Sequence, residues 1–157
     1  MKMKKLNQFF MYAVVLVATA CFASCSDDED DLGGDVSKLY GLWEPTHAEG
    51  YERGGDEEDS WNYDLNASND FDDYDRVELI DGNKYKLYEY RSGSWNISDS
   101  GTFAVKGNEI ILDNDVENVG VITSISNSRM IIESTEKEIY EGVEYTYYEK
   151  VTYKRIN

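Results

Sequence analysis

Cysteine, histidine and proline are almost absent from this chain: two, one and one respectively in 157 residues. Both cysteines, Cys21 and Cys25, stand near the N-terminus. The remainder therefore cannot hold a disulfide framework, a Cys/His zinc cluster or a thiol redox pair. A Ser-His-Asp arrangement would hang entirely on His47, the single imidazole. The plainer reading of His47 is a surface or packing residue beside a strand end. No phosphate-cradling glycine loop occurs. Positive charge is scarce as well, with 15 Lys and Arg against 32 Asp and Glu, a formal net charge of −17. Such a surface repels nucleic acid and anionic lipid head groups, and attracts cations or a basic partner. No stretch reaches the roughly 20 apolar residues that a membrane-crossing helix needs.

One apolar run does occur, from Phe9 to Ala20. It follows Lys2, Lys4 and Lys5 and leads to Ala23-Ser24-Cys25, the three-part layout of an export signal. An uncleaved anchor helix is the alternative. Phe22-Ala23-Ser24-Cys25 resembles a lipobox, although Phe22 stands where an aliphatic residue is usual. Cys21, after Ala18-Thr19-Ala20, matches less well. The acidic run Ser26-Asp27-Asp28-Glu29-Asp30-Asp31 is similar to the surface-export signal of Bacteroidota lipoproteins. These resemblances imply fatty-acid attachment (palmitate) at Cys25 and a place on the outer face of the outer membrane. An ordinary lipobox before a merely acidic linker would leave the protein facing the periplasm. On this reading residues 1–24 leave as the signal peptide and no free thiol remains. Twelve basic residues then oppose 32 acidic ones, a net charge of −20. Residues 25–37 read as a flexible, self-repelling tether, and structure is expected from Lys38 onward.

The rest alternates like strands and turns, with no period-3.6 stripe. The last strand is the plainest. Val143, Tyr145, Tyr147, Val151 and Tyr153 share one face, and Glu144, Thr146, Lys150, Thr152 and Lys154 the other. Glu149 interrupts the apolar face, which places it near an opening or beside a positive partner. Other strands are expected over 40–47, 75–80, 84–91, 95–98, 101–105, 109–113, 119–126 and 129–134. Asp81-Gly82-Asn83, Lys106-Gly107-Asn108 and Asn127-Ser128 mark the hairpins between them. An all-β fold follows: an antiparallel up-and-down β-barrel of about eight strands, with a two-sheet β-sandwich as the alternative.

Gly41-Leu42-Trp43 on the first strand and Arg155 near the end resemble the lipocalin signature. That likeness implies that Trp43 closes the base of a barrel and that Arg155 packs across its ring. Leu39-Tyr40-Gly41-Leu42-Trp43-Glu44, Asp81-Gly82-Asn83-Lys84-Tyr85, Trp95 leading to Gly101-Thr102-Phe103, Gly107-Asn108-Glu109-Ile110 and Tyr153-Lys154-Arg155-Ile156 resemble the small lipocalin-like lipoproteins of Bacteroidota. The implied role is binding, with an interior filled by side chains or holding one small ligand.

Residues 48–74 read as a long acidic insertion with Tyr51, Trp61, Tyr63 and Phe71 interspersed, and as a lid over the barrel mouth. Within it, Asp64, Asn66, Ser68, Asp72 and Asp75 resemble the alternating ligands of an EF-hand-type loop, which implies Ca²⁺. Asn69 stands in the glycine position, Asp75 replaces the usual Glu, and no flanking helices are evident. A solvated acidic loop is the plainer alternative. Of the thirteen tyrosines, Tyr85, Tyr88, Tyr90, Tyr145, Tyr147, Tyr148 and Tyr153 crowd paired or neighbouring strands, where cross-strand packing or the lining of a glycan or small-molecule site would use them. Three functional readings follow. The first is a surface-anchored, non-enzymatic binding domain for an unidentified ligand. The second is an envelope interaction module, an inhibitor or accessory subunit, docking a basic partner through its acidic face. The third is a hydrolase, which requires two carboxylates facing each other in a cleft.

Overall fold

A computed structural model describes residue 32 and residues 35–65, 74–115 and 119–156. Cys25 and the leader lie outside the described residues, as do Asn66, Ser68 and Asp72 of the expected calcium loop.

Structure begins earlier than Lys38. Leu32 is buried in the core, and Asp35 caps a short 3-10 turn, Val36–Leu39, by accepting the Ser37 amide. The expected tether boundary at residue 37 is corrected accordingly, because apolar burial of Leu32 and Leu39 fixes this segment to the barrel.

Nine strands follow: β1 (Gly41–Gly54), β2 (Glu57–Asp64), β3 (Arg76–Ile80), β4 (Lys84–Arg91), β5 (Ser94–Lys106), β6 (Glu109–Leu112), β7 (Val119–Ile125), β8 (Arg129–Tyr140) and β9 (Val143–Ile156). All pairings are antiparallel and join neighbours in sequence, except that β1 also pairs with β3 and β9. The β1–β9 ladder closes β1 and β3–β9 into an eight-stranded barrel, which rules out the sandwich. One edge of β1 serves two strands in succession: Gly41–Trp43 pairs with β3, and His47–Gly54 pairs with β2. Its other edge follows β9 almost throughout, shifting register between Pro45 and His47. A proline has no amide to give the ladder, and it sits here beside that irregularity.

The expected loop over 48–74 is therefore wrong for most of its length. Residues 48–54 extend β1, and 57–64 form β2, hinged at Gly55 with φ +59. Alternation is hard to see in β2 because both of its rows carry acids. Glu57, Asp59, Trp61 and Tyr63 lie on one side, and Glu58, Ser60, Asn62 and Asp64 on the other. The expected strands over 95–98 and 101–105 are one strand, β5, with a register shift opposite Leu87/Tyr88 that absorbs Ser98. β8 runs past Ser134 to Tyr140. The outer halves of β8, β9, β1 and β2 thus continue beyond the barrel as a four-stranded flap.

Candidate functional site

The two ends of the barrel differ in chemistry. At the lower end Leu39, Trp43, Leu79, Phe103, Ile122, Ile125 and Met130 fill the interior. Trp43 is fully buried, and its indole Nε1 donates to the Leu39 carbonyl at 2.7 Å. The Arg155 guanidinium lies 4.2 Å from the Trp43 ring centroid. It also donates from Nε to the Asn127 carbonyl at 2.7 Å, from Nη2 to the Lys38 carbonyl at 2.5 Å, and to the Tyr40 carbonyl. Gly41 is needed beneath it: a Cβ there would stand 2.6 Å from Nη1, and its φ of +144 suits glycine. Gly41, Trp43 and Arg155 therefore form a structural plug, held by a stacked cation and three carbonyls.

Towards the upper end the inner face changes. β9 carries Glu149, Val151 and Tyr153 inward, opposite Gly50, Ala48 and Pro45 of β1. A second buried cluster, Ala48, Leu65, Tyr74 and Val151, packs there with Tyr63, Tyr90, Trp95 and Tyr153 around it. Glu149 accepts the Tyr74 hydroxyl at 2.8 Å, and the Tyr63 hydroxyl lies 3.3 Å from that of Tyr74. Burial first, and Glu149 next, push the Tyr74 phenol far above its ordinary value. Tyr153 is pushed up by burial and by Glu149 and Asp75.

Asp75 belongs to this same inner surface. Its carboxyl is pushed up by burial and then by Glu89, with Asp99 adding to the effect and Ser98 and Arg91 opposing it. The register explains the crowding. Val77, Leu87 and Asp99 share one cross-strand row, and Glu89 follows Leu87 on the same side. Asp99 also accepts the Tyr85 hydroxyl at 3.0 Å, which reaches Asp113 at 2.7 Å. Four inward carboxylates thus meet a lining of phenol rings.

The outer wall is served differently. Glu44 binds Lys154 at 2.8 Å and Arg76. Arg76 in turn stacks 4.2 Å over Trp95, which leans on Tyr90 at 5.2 Å, and through these two rings the outer network meets the second cluster. Burial works to raise the Glu44 carboxyl, but hydrogen bonds from Lys154 and Arg76 outweigh it and hold the carboxyl below its ordinary value.

The expected calcium ligands separate. Asp64 ends β2 on the outer face, with its Oδ1 2.8 Å from His47 Nδ1, while Asp75 faces Glu89 and Asp99. Among the described residues no three His, Cys, Asp or Glu side chains gather as a metal site. His47 is thereby accounted for as the partner of Asp64. Glu149 stood out in the sequence as a break in an apolar face. Tyr63 was read as part of a lid over the barrel mouth and Asp75 as a calcium ligand, whereas Glu89 and Asp99 were not singled out, as single acids in strands that carry other polar residues.

A family profile described as a lipocalin-like domain matches residues 39–132. No curated protein and no solved structure matches the chain.

Proposed function

The chain belongs to the lipocalin-like domain family, and from that premise we propose that it is a non-enzymatic binding domain carried on a lipid anchor. The ligand that best suits the upper end is a small organic cation with an apolar or aromatic body. One observation carries this reading: Glu149, Asp75, Glu89 and Asp99 face inward, with Glu149 bonded to Tyr74, Asp75 acting on Tyr153 and Asp99 bonded to Tyr85. Carboxylates supply the counter-charge, and phenol faces attract a cation through their quadrupole. The lower end, filled by Trp43 and its neighbours, leaves binding to the upper half. Titration of the purified protein with benzyltrimethylammonium, followed by tryptophan fluorescence, tests this. Saturable binding that benzoate does not reproduce supports the reading. Equal response to both, or to neither at millimolar concentration, defeats it.

The anchor rests on the likeness of Phe22-Ala23-Ser24-Cys25 to a lipobox, and the outward address on the acidic run behind it. Acylated Cys25 would hold the domain at the outer membrane, with the acidic segment as spacer. Metabolic labelling with a fatty acid is the test. Cys25→Ala abolishes incorporation if this cysteine is the acylated one, and continued labelling shows that it is not.

A further inference from the structure

β2 ends the sheet. It pairs with β1 on one side, and no described strand pairs with its other edge. The phase of its backbone can be read from the ladder. Leu65 donates its amide to the Thr46 carbonyl at 2.9 Å. In an antiparallel pair, bonded residues alternate. Counting back from Leu65, residues Tyr63, Trp61, Asp59 and Glu57 bond to β1. Glu58, Ser60 and Asn62 therefore turn their N–H and C=O groups to the open edge, and all three are exposed.

The side chains around this edge have one sign. Residues 47–64 contain seven acids, Glu49, Glu52, Asp56, Glu57, Glu58, Asp59 and Asp64, against one base, Arg53. Arg53 is already bound to Glu58. The side chains of Asp56, Glu57 and Asp59 have no hydrogen-bond or ion-pair partner among the described residues. An open edge is a template for another strand, and charge decides which strands it accepts. A second copy of the same edge would bring carboxylates against carboxylates. A strand bearing Lys or Arg would neutralise them while its backbone completed the ladder.

We propose that the open edge of β2 takes up an extended, basic peptide segment of another protein as an added strand. This surface is distinct from the inner tyrosine-carboxylate lining. Main-chain bonds to Glu58, Ser60 and Asn62 supply the register, and the acidic rows select the charge.

The test uses the purified full-length protein and a fluorescent eight-residue peptide of alternating Lys and Thr, followed by anisotropy. Two further peptides carry N-methyl groups on alternate amides, one in each phase. N-methylation removes donors without changing charge, so one phase should weaken binding roughly tenfold and the other much less. A peptide with Glu for Lys should not bind. Ser60→Pro removes an edge amide without touching the β1 ladder, and a proline so placed is tolerated in an edge strand. It should weaken the Lys/Thr peptide equally while leaving the response to benzyltrimethylammonium intact. Equal binding of both methylated peptides and their parent would overturn the proposal, since charge alone would then suffice. So would no binding at millimolar peptide, or a self-associated protein whose dimer the peptide fails to dissociate. The peptide comparison stands even where Ser60→Pro does not fold.

Discussion

Arg155 holds the lower end by contacts that no other side chain reproduces. Its planar fork covers the Trp43 ring and reaches the carbonyls of Lys38, Tyr40 and Asn127 together. Arg155→Ala uncovers Trp43 and leaves three carbonyls to find water, a cost of about 2–4 kcal/mol in urea unfolding. Arg155→Lys keeps the charge but not the fork, and recovers only part of that loss. Asp75 behaves in the opposite sense. Its native carboxyl value is raised above the ordinary 3.8, so the native state holds the proton more tightly than the unfolded chain does. Stability on its account falls as pH rises through the raised native value. Asp75→Asn, neutral at every pH, therefore stabilises the protein at pH 7, and the gain disappears below about pH 3.8. Urea midpoints of both proteins across that range check this. The sequence signals for these residues were unequal. Gly41, Trp43 and Arg155 were legible through the family signature. Asp75 was legible only as a candidate calcium ligand, because its significance comes from Glu89 on β4 and Asp99 on β5.

At the scale of elements, β9 was readable in full because one face is aromatic and aliphatic and the other charged. The hairpin turns at Gly82-Asn83 and Gly107 were equally plain, each with positive φ where the turn requires it. β2 was not, since only Trp61 and Tyr63 of its inner row are half-buried and acids stand in both rows, which masks the period-2 signal. Its attachment depends instead on glycine. A Cβ at Gly50 would lie 2.5 Å from the Trp61 ring and 2.3 Å from the Tyr148 carbonyl oxygen, and one at Gly54 would lie 2.2 Å from the Tyr145 ring. Ring atoms of Trp61 and Tyr145 occupy the space that a side chain at these glycines would need, and so bridge the flap's strands. Gly50→Ala is expected to cost about 1–3 kcal/mol, the usual range for forcing extra atoms into a packed site. Hydrogen exchange checks its location: amides of β1 above Gly50 and of β2 should lose protection first, while those of β6 and β7 keep theirs.

Across the whole molecule, tyrosine takes over work that lysine and arginine do elsewhere. With 15 basic residues for 32 acids, many carboxylates are met by phenols: Tyr74 with Glu149, Tyr85 with Asp99 and Asp113, Tyr88 with Glu78, and Tyr147 with Glu138. A phenol can donate one hydrogen bond without carrying charge. Burial, and then the carboxylate, push Tyr88 to about 12, and burial with Glu133 pushes Tyr148 to about 12. Tyr74, Tyr85, Tyr147 and Tyr153 move the same way. The native state thus keeps protons that the unfolded chain begins to lose near its ordinary value of 10.0. The stability these groups contribute is complete below that value and falls as pH rises from about 10 towards 12. Urea midpoints at pH 8 and pH 11 should differ in that direction, with the transition tracking phenolate absorbance.

The same surplus of carboxylates underlies the binding reading. At the upper end, Glu149 accepts from Tyr74 and Asp75 bears on Tyr153 within a cluster of packed rings. Mapping the amide chemical shifts of the protein with benzyltrimethylammonium tests this most directly. Saturable shifts centred on Tyr74, Asp75, Glu149 and Tyr153, diminished in Glu149→Gln, are the expected result. Shifts confined to the base around Trp43 or to the outer face, or none at saturating probe, would contradict it.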